Sequence, residues 1–470
     1  MGNQRESVHG MWSSRAVFVM ATIGSAVGLG NIWKFPYITG EYGGGAFVLV
    51  YLLCIALIGI PIMMAEVLLG RRGRASPIST MKRLAREEGA SAAWSLVGYA
   101  GVVAGFLILS FYSVVAGWAL AYVFQSAGGG LNGITAAGSA SVFGDLVGSP
   151  DQLVVWHTVF ILMTTAVVAR GVRHGLERAV SVLMPALFVM LLIMVGYAYV
   201  EGDFARGFNF LFEVNFSRVF QVCSGEGAQI ACRVSGEPLL VAMGHAFFTL
   251  SLGMGAIMAY GAYVPDHASI TGATITIAVA DTLVALLAGL AIFPIVFASG
   301  LEPGAGPGLI FQTLPVAFGN MPGGHLFGTV FFVLLVFAAW SSSISLVEPA
   351  VAWLVEVRRW SRVTAAFLVG ALAWLLGIGS ALSFNVWSGP EYQVLGKTLF
   401  DLKDFVASNI MLPLGGLLIA LFVAYGAGRH MALEELSISR QRLFDAWWFV
   451  IRYVSPVGIA IVFLNSVGVL

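Results

Sequence analysis

Glycine interrupts two apolar stretches of this chain, Gly24-Ser-Ala-Val-Gly-Leu-Gly30 and Ser251-Leu-Gly-Met-Gly255. Each stretch lies inside a segment long enough to cross a membrane. Glycine costs about 1 kcal/mol relative to alanine inside a helix, so these helices are weakened where the glycines stand. Either the glycines let helices pack closely, or both helices unwind and expose main-chain carbonyls and amides to a cavity. The positions of the two stretches favour unwinding.

Apolar segments of spanning length recur along the whole chain. Of its 470 residues, 59% are hydrophobic and 10% are charged, and the mean hydropathy is +0.89. A soluble domain carries roughly 25% charged residues, whereas a membrane span needs about 20 apolar ones. We therefore expect an all-α polytopic membrane protein. Its eleven predicted helices lie near residues 16–33, 46–65, 94–123, 153–169, 179–200, 238–263, 268–298, 326–347, 363–381, 405–427 and 446–468.

The two interrupted helices are the first and the sixth of this series. They occupy corresponding places if helices 1–5 (about 15–200) and 6–10 (about 238–428) form two halves. Five helices is an odd number, so the second half enters from the opposite side of the membrane, as in an inverted repeat. Helix 11, about 444–468, follows the repeat. This pattern predicts a single transmembrane transporter domain over residues 1–470 that works by alternating access.

Basic residues cluster in alternate loops, after the second, fourth, eighth and tenth predicted helices. They are Arg71, Arg72, Arg74, Lys82, Arg83, Arg86, Arg170, Arg173, Arg178, Arg358, Arg359, Arg362, Arg429, Arg440 and Arg442. By the positive-inside rule these loops are cytoplasmic. The prediction is a multi-pass protein of a bacterial inner (plasma) membrane, surrounded by lipid. Its N-terminus is cytoplasmic and its C-terminus, Leu470, is outside.

Other features exclude further classes of function. Met1 to Arg15 is polar, so no cleavable signal peptide is expected. The formal net charge is zero, which gives no indication of nucleic acid as a partner. Neither a metal-ligand spacing nor a nucleophile motif stands out, so an enzyme is not expected. Cys223 and Cys232 share a predicted outward loop, where either a disulfide or two free thiols are compatible with the sequence.

Two long motifs carry a resemblance that covers essentially the whole chain. Gly24-Ser-Ala-Val-Gly-Leu-Gly-Asn-Ile-Trp-Lys-Phe-Pro-Tyr37, followed by Gly43-Gly-Gly-Ala-Phe47, resembles the helix 1 signature of the neurotransmitter:sodium symporter family. Phe247-Phe-Thr-Leu-Ser-Leu-Gly-Met-Gly255 resembles its broken helix 6. Shorter matches are Arg170-Gly-Val-Arg-His-Gly-Leu-Glu-Arg178, Ser341-Ser-Ser-Ile344 and Asp401-Leu-Lys-Asp-Phe405. The resemblance implies a LeuT-type 5+5 inverted repeat and sodium-coupled import of a neutral, hydrophobic amino acid.

The resemblance also implies two sodium sites, built from oxygen ligands that suit a hard cation. The first uses the Ala26 carbonyl and the side chains of Asn31, Thr249 and Asp281, completed by the substrate carboxylate. The second uses the carbonyls of Gly24, Val27 and Ala338 with the hydroxyls of Ser341 and Ser342. Taken without the family, these polar side chains also suit ordinary hydrogen bonds between helices.

A substrate pocket follows from the same resemblance. Its residues are Ser25, Ala26, Gly28, Leu29, Gly30, Ile108, Tyr112, Phe248, Thr249, Ser251, Met254, Ser342 and Leu346. Tyr112 and the amides of Leu29 and Gly30 take the carboxylate, and nearby carbonyls take the amine. Monoamine carriers of the family have Asp at the position assigned to Gly24, so glycine there indicates an amino-acid substrate. Core packing is the alternative for each apolar member.

Asp281 departs from the family's leucine carriers, which have Asn at this position and Glu one turn later, where this chain has Ala285. A carboxylate inside a membrane is costly and therefore indicates function. Animal members without such an acid bind chloride at positions matching Tyr51 and Thr249. We expect transport to be independent of chloride and Asp281 to take up a proton on the empty return step, because burial favours the neutral carboxyl.

Gates on both sides of the pocket complete the resemblance. Lys34 and Asp404 match the outer ion pair, with Tyr112 and Phe248 as a lid over the substrate. Trp12 and Glu356 match inner-gate elements.

Besides Asp281, two histidines depart from the family pattern. His9 stands where the family has an arginine of the inner gate, for which Arg5 is the alternative. His245 replaces a usual Gln and suits either packing or a part in gating or proton exchange.

The sequence leaves three properties open: the substrate, whether the protein transports it, and the oligomeric state. The same fold also carries small amino acids and related amines, and a membrane sensor that has lost transport is a different class of function. Ligands for both sodium ions argue against the sensor. The sequence gives no indication of the oligomeric state.

Overall fold

A computed structural model describes residues 7–216, 221–224, 231–234, 236–303, 308–438 and 440–466. Helices account for most of this part of the chain. They are α1 (Arg15–Ala26), α2 (Gly30–Glu41), α3 (Gly45–Gly73), α4 (Pro77–Glu87), α5 (Ala92–Ala127), α6 (Ala136–Gly148), α7 (Pro150–Ala169), α8 (Val172–Glu201), α9 (Phe204–Phe212), α10 (Glu237–Thr249), α11 (Ala256–Gly261), α12 (Ile270–Ala298), α13 (309–320), α14 (Gly324–Arg358), α15 (Arg362–Leu382), α16 (Leu399–Leu436) and α17 (Gln441–Asn465).

Within the described residues, nine helices are long and apolar enough to cross a membrane, and α1 with α2 makes a tenth span bent by 49°. The all-α membrane fold is therefore confirmed, but the count of eleven is not. The sixth predicted segment divides into α10, of 13 residues, and α11, of 6 residues. Neither alone has the ~20 residues that span a bilayer.

Both predicted helix breaks are present. Helix α1 ends at Ala26 and α2 begins at Gly30. Between α10 and α11 the chain adopts left-handed conformations at Ser251 (φ +55°), Gly253 (+78°) and Gly255 (+75°). Glycine adopts such conformations without steric cost, so the glycines that weaken the helix also permit the turn.

Helices α5 and α14 pack along each other and face both breaks. Around them, α15 packs on α7 and α12 packs on α8. Leucine, valine and phenylalanine side chains on the outer faces of these helices stay exposed, as in a protein solvated by lipid tails.

A short antiparallel hairpin, β1 (Gln221–Ser224) and β2 (Ala231–Val234), lies between α9 and α10. Its backbone register pairs Cys223 with Cys232. The side chains of these two cysteines lie outside the part of the chain that the structure describes, so the disulfide stays a prediction.

Candidate substrate and ion site

A small cavity of about 20 Å³ lies where the two helix breaks face α5 and α14. Its lining residues are Ser25, Ala26, Gly28, Gly30, Ile108, Tyr112, Phe248, Ser251, Met254, Ser342 and Leu346. These are eleven of the thirteen residues predicted to bind substrate. Leu29 reaches the same place through its amide, which donates to the Tyr112 hydroxyl (3.1 Å). Thr249 lies beside it and donates to Asp281.

The lining has a polar end and an apolar end. Tyr112 and the main chain around Gly28, Leu29 and Gly30 form the polar end, while Ile108, Met254 and Leu346 supply apolar surface. Of the described residues that line the cavity, none carries a charged side chain. This combination suits a small ligand with both a polar head and an apolar body.

Gly28, and not Gly24, is the glycine that faces the cavity, which corrects the sequence-based assignment. A Cβ atom at Gly28 would overlap Ser342 Oγ and lie 2.7 Å from the Tyr112 hydroxyl. At Gly24 it would instead meet Met184 Sδ of α8 at 3.2 Å. The two glycines lie on opposite sides of the end of α1, so their spacing of four residues does not place them on one helical face. A side chain at position 28 would therefore enter the cavity, whereas one at position 24 would meet α8.

Asp281 joins both broken helices. Its side chain is fully buried. Asn31 Nδ2 donates to Asp281 Oδ1 (2.8 Å), and Thr249 Oγ1 lies 3.1 Å from both carboxylate oxygens. The Asn31 carboxamide oxygen also accepts from the Gly28 amide (3.0 Å). Three predicted side-chain ligands of the first sodium site thus lie in one hydrogen-bonded group next to the cavity.

The predicted second sodium site also comes together. Ser342 Oγ lies 3.2 Å from the Val27 carbonyl and 3.5 Å from that of Gly24. Ser341 Oγ donates to the Ala338 carbonyl (3.0 Å). The Ser342 hydroxyl of α14 therefore lies beside the Gly24 and Val27 carbonyls at the end of α1, whereas the Ser341–Ala338 contact is within α14.

Glu66 is a buried carboxylate that the sequence reasoning missed. Its side chain is fully buried, and Oε1 accepts from the Gly253 amide (2.7 Å) at the second helix break. The signal was present in the sequence, because this acid follows directly on the apolar run that ends at Ala65. Such a residue inside a membrane segment indicates function by default.

The outer gate lies directly above the cavity. Lys34 Nζ is 3.9 Å from Asp404 Oδ1 and 4.6 Å from the centroid of the Phe248 ring. Phe248 and Tyr112 line this cavity. They also line a second small cavity, to which Lys34 and Asp404 contribute. The predicted lid and outer ion pair are therefore adjacent.

His245 is a packing residue without a hydrogen bond in the described structure. Its side chain stacks on Phe35 and packs against Tyr51, with ring centroids 6.0 and 5.2 Å away. Neither ring nitrogen has a hydrogen-bond partner among the described residues, nor does the Tyr51 hydroxyl. His245 also lines a larger outer cavity between α2, α10, α16 and α17. The predicted packing role fits this environment, whereas a gating or proton-exchange role stays a prediction.

One tyrosine at the rim of that outer cavity is held as a hydrogen-bond donor. The Tyr42 hydroxyl donates to Glu237 Oε1 (2.9 Å). Burial, together with that carboxylate, raises the pKa of Tyr42 above its usual value.

The residues predicted for the inner gate lie against α11. Trp12 Nε1 donates to the Tyr260 carbonyl (3.2 Å), and His9 Nε2 lies 2.9 Å from Glu356 Oε1. Arg5, the alternative to His9, lies outside the described residues. Deeper in, Glu348 accepts from the Tyr263 hydroxyl (2.7 Å) and pairs with Arg362.

Two discontinuous helices facing a closed cavity, with ion pairs on both sides of it, define a secondary transporter. The chain belongs to the Sodium:neurotransmitter symporter family, whose model matches residues 9–134 and 146–470. It is accordingly a sodium-dependent transporter and not an enzyme.

Its relatives agree with this assignment over nearly the full length. The chain is 38% identical to the sodium-dependent transporter YhdH of Bacillus subtilis, covering 98% of each chain. It is 25% identical to the sodium- and chloride-dependent GABA transporter 2 of Mus musculus, covering 89% of this chain and 73% of that one. The crystal structure of MhsT in complex with L-phenylalanine superposes with a TM-score of 0.87 at 42% identity, covering 97% and 99% of the two chains.

Proposed function

We propose that this protein imports a neutral, hydrophobic α-amino acid together with sodium. One observation carries the proposal: the cavity combines a polar end of main-chain groups and Tyr112 with an apolar end and no charged lining side chain. Such a site binds a zwitterion whose side chain is uncharged. The L-phenylalanine bound to MhsT supports the same class of substrate.

The substrate carboxylate binds at the first break. The Leu29 amide and the Tyr112 hydroxyl already lie within 3.1 Å of each other there. Main-chain amides at the start of α2 point toward a negative charge, and a helix N-terminus favours it. The substrate amine binds the carbonyls left free at the ends of α1 and α10, and the apolar surface of Ile108, Met254 and Leu346 holds the side chain.

Two sodium ions accompany each substrate. The first binds among Asn31, Thr249 and Asp281 and is completed by the substrate carboxylate, which couples the ion to the amino acid. The second binds the carbonyls of Gly24, Val27 and Ala338 with the hydroxyls of Ser341 and Ser342, and so joins α1 to α14. The closeness of these oxygen atoms supports this assignment.

Alternating access follows from gates on either side of the cavity. The Lys34–Asp404 pair and the Phe248 ring close the outer side, whereas Trp12, His9 and Glu356 close the inner side. Opening one set while the other stays closed moves substrate across the membrane. The basic loops support an orientation with the inner gate and the N-terminus in the bacterial cytoplasm and the C-terminus outside.

Asp281 makes the cycle independent of chloride. Two cations and a zwitterion bring excess positive charge to the site, and a fixed carboxylate offsets it without a bound anion. On the empty return step this carboxylate has no cation. It then takes up a proton, because a buried carboxyl is favoured in its neutral form, and so protons move outward as sodium moves inward.

Radiolabelled uptake into proteoliposomes tests the proposal. A panel of neutral, acidic and basic amino acids is offered with an inward sodium gradient and with choline in its place. We expect accumulation of apolar amino acids in sodium alone. Preference for a charged amino acid, or for an amine without a carboxylate, would contradict the assignment of the cavity.

A further inference from the structure

The inner gate of this protein contains a histidine in direct contact with a carboxylate. The side chain of His9 is 2% exposed and that of Glu356 is 10% exposed, and their nearest atoms are 2.9 Å apart. A few residues further on, the Trp12 amide donates to the Tyr263 carbonyl (3.0 Å) and the Trp12 indole to Tyr260. The contact therefore lies in the segment that covers α11 from the inner side.

Glu356 is held as a rigid acceptor for this histidine. The Ser76 amide donates to Oε1 (2.7 Å) and the Ser76 hydroxyl to Oε2 (2.5 Å). Three donors from two separate segments thus surround one carboxylate on α14. A carboxylate that accepts several hydrogen bonds stays ionised, and a charged donor binds it more strongly than a neutral one.

We propose that His9 is a proton-dependent positioning residue of the inner gate. The protonated imidazole holds the N-terminal segment against Glu356 and keeps the inner side closed; the neutral imidazole keeps only a weaker hydrogen bond and releases the segment more often. Its place in the transport cycle rests on the function proposed above. An arginine here would carry a fixed charge, whereas histidine changes charge near neutral pH.

The surroundings of His9 contain charges of both signs. Its ring packs edge-on against Tyr263, with centroids 6.0 Å apart. The groups that face the His9 ring are Glu356 on α14 and Tyr263 after α11. Three more charged groups contact its segment: Arg74 after α3 contacts Met11 Sδ, Arg173 on α8 donates to the Met11 carbonyl, and Glu177 on α8 accepts from the Ser13 amide and hydroxyl. Beyond Tyr263 lies the Glu348–Arg362 pair. The nearest charge is that of Glu356, so protonation of His9 stabilises the closed segment.

A matched control is available on the same molecule. His430 also faces a glutamate, with Nδ1 3.6 Å from Glu434 Oε1, but its side chain is 88% exposed. An exposed pair contributes little to stability. His430→Gln therefore changes the same residue type without changing the inner gate.

The test is the mobility of a spin label at Val8→Cys, which is 78% exposed beside His9, in a variant without the native cysteines. Spectra between pH 5.5 and 8.5, in sodium and without a pH gradient, give the ratio of docked to released segment. We expect this ratio to fall about fivefold with rising pH, the difference between a charge-assisted and a neutral hydrogen bond. The segment should be released at every pH in His9→Gln and docked at every pH in His9→Arg. In His430→Gln it should show the same pH dependence as in the parent protein.

Two results would overturn the proposal. One is a ratio of docked to released segment that does not change with pH in the parent protein, and the other is a pH dependence of that ratio that persists in His9→Gln. Asp281→Asn, measured in parallel, should keep the slope, which separates the gate from proton exchange at the ion site. Uptake is measured on the same variants. If the slope depends on His9 but no amino acid is accumulated, the proposed function fails and the proton-dependent gate stands.

Discussion

The side-chain amide of Asn31 donates hydrogen bonds to both the carboxylate and the main-chain carbonyl of Asp281, at 2.8 and 3.0 Å. Thr249 adds a contact to the same carboxylate from the other broken helix. One buried acid thus connects α2, α10 and α12 beside the substrate cavity. An unpaired charge in this place is costly, which supports the proposed binding of a cation at this group.

Replacing Asp281 with asparagine should weaken the dependence on sodium most of all. Without the Asp281 carboxylate the first sodium site keeps its geometry but loses its only charged protein ligand, so half-maximal substrate binding should need about tenfold more sodium. Scintillation proximity binding over a sodium titration measures this. Asp145→Asn, on the exposed surface of α6, is the control. An unchanged sodium requirement, or loss of wild-type binding in gluconate buffer, would show that this account of Asp281 is wrong.

A methyl group should be tolerated at Gly24 but not at Gly28. At position 28 it meets Ser342 Oγ and the Tyr112 hydroxyl, both of which line the cavity, whereas at position 24 it meets the flexible end of Met184. Gly28→Ala should therefore reduce substrate affinity by about tenfold or more, while Gly24→Ala keeps most of it. Equilibrium binding of the transported amino acid compares the two. Equal losses of substrate affinity in the two variants would contradict the conclusion that position 28, and not position 24, faces the cavity.

Glu66 should stabilise the second helix break through its acceptor oxygen. Glu66→Gln keeps an oxygen that accepts from the Gly253 amide, whereas Glu66→Leu leaves that amide without a partner. A buried donor left unpaired costs about 1–3 kcal/mol. Thermal unfolding in detergent should accordingly show a much lower midpoint for the leucine variant than for the glutamine variant, with uptake reduced in the same order. A lower unfolding midpoint for Glu66→Gln than for Glu66→Leu would contradict this stabilising role of Glu66.

The orientation derived from the basic loops predicts which cysteines react from which side. Lys82→Cys, exposed on α4, should react with an impermeant maleimide only in inverted vesicles. Glu213→Cys, exposed after α9, should react in intact cells. The opposite pattern of labelling would reverse the assignment of inside and outside.

Much of this architecture follows from local features of the sequence. Runs without charge mark the spanning helices, and glycine density marks both breaks, because weakened helices and left-handed turns need the same residue. The ion and substrate residues were predictable as a set, since long motifs around Asn31 and Thr249 fix their identity, although the pairing of Asn31 with Asp281 spans 250 residues.

What the sequence did not predict depends on three-dimensional placement. The position of Glu66 after an apolar run marks it as a buried acid, but its partner, the Gly253 amide, is 187 residues away and is visible only in the structure. The role expected for Gly24 rested on the family resemblance alone, and only the structure shows that a side chain at position 28, beyond the end of α1, would enter the cavity. The count of eleven is not confirmed because α10 and α11, on either side of the predicted break, are each too short to span a membrane alone.

Sodium-driven uptake is the most direct test of the account. Purified protein in proteoliposomes is offered radiolabelled phenylalanine, leucine and glycine, with sodium, potassium or choline outside, and with Thr249→Val as a variant that lacks one ion ligand. The account predicts accumulation of the two apolar amino acids in sodium alone, with glycine lower and the variant strongly impaired. Equal uptake in sodium and choline would contradict it.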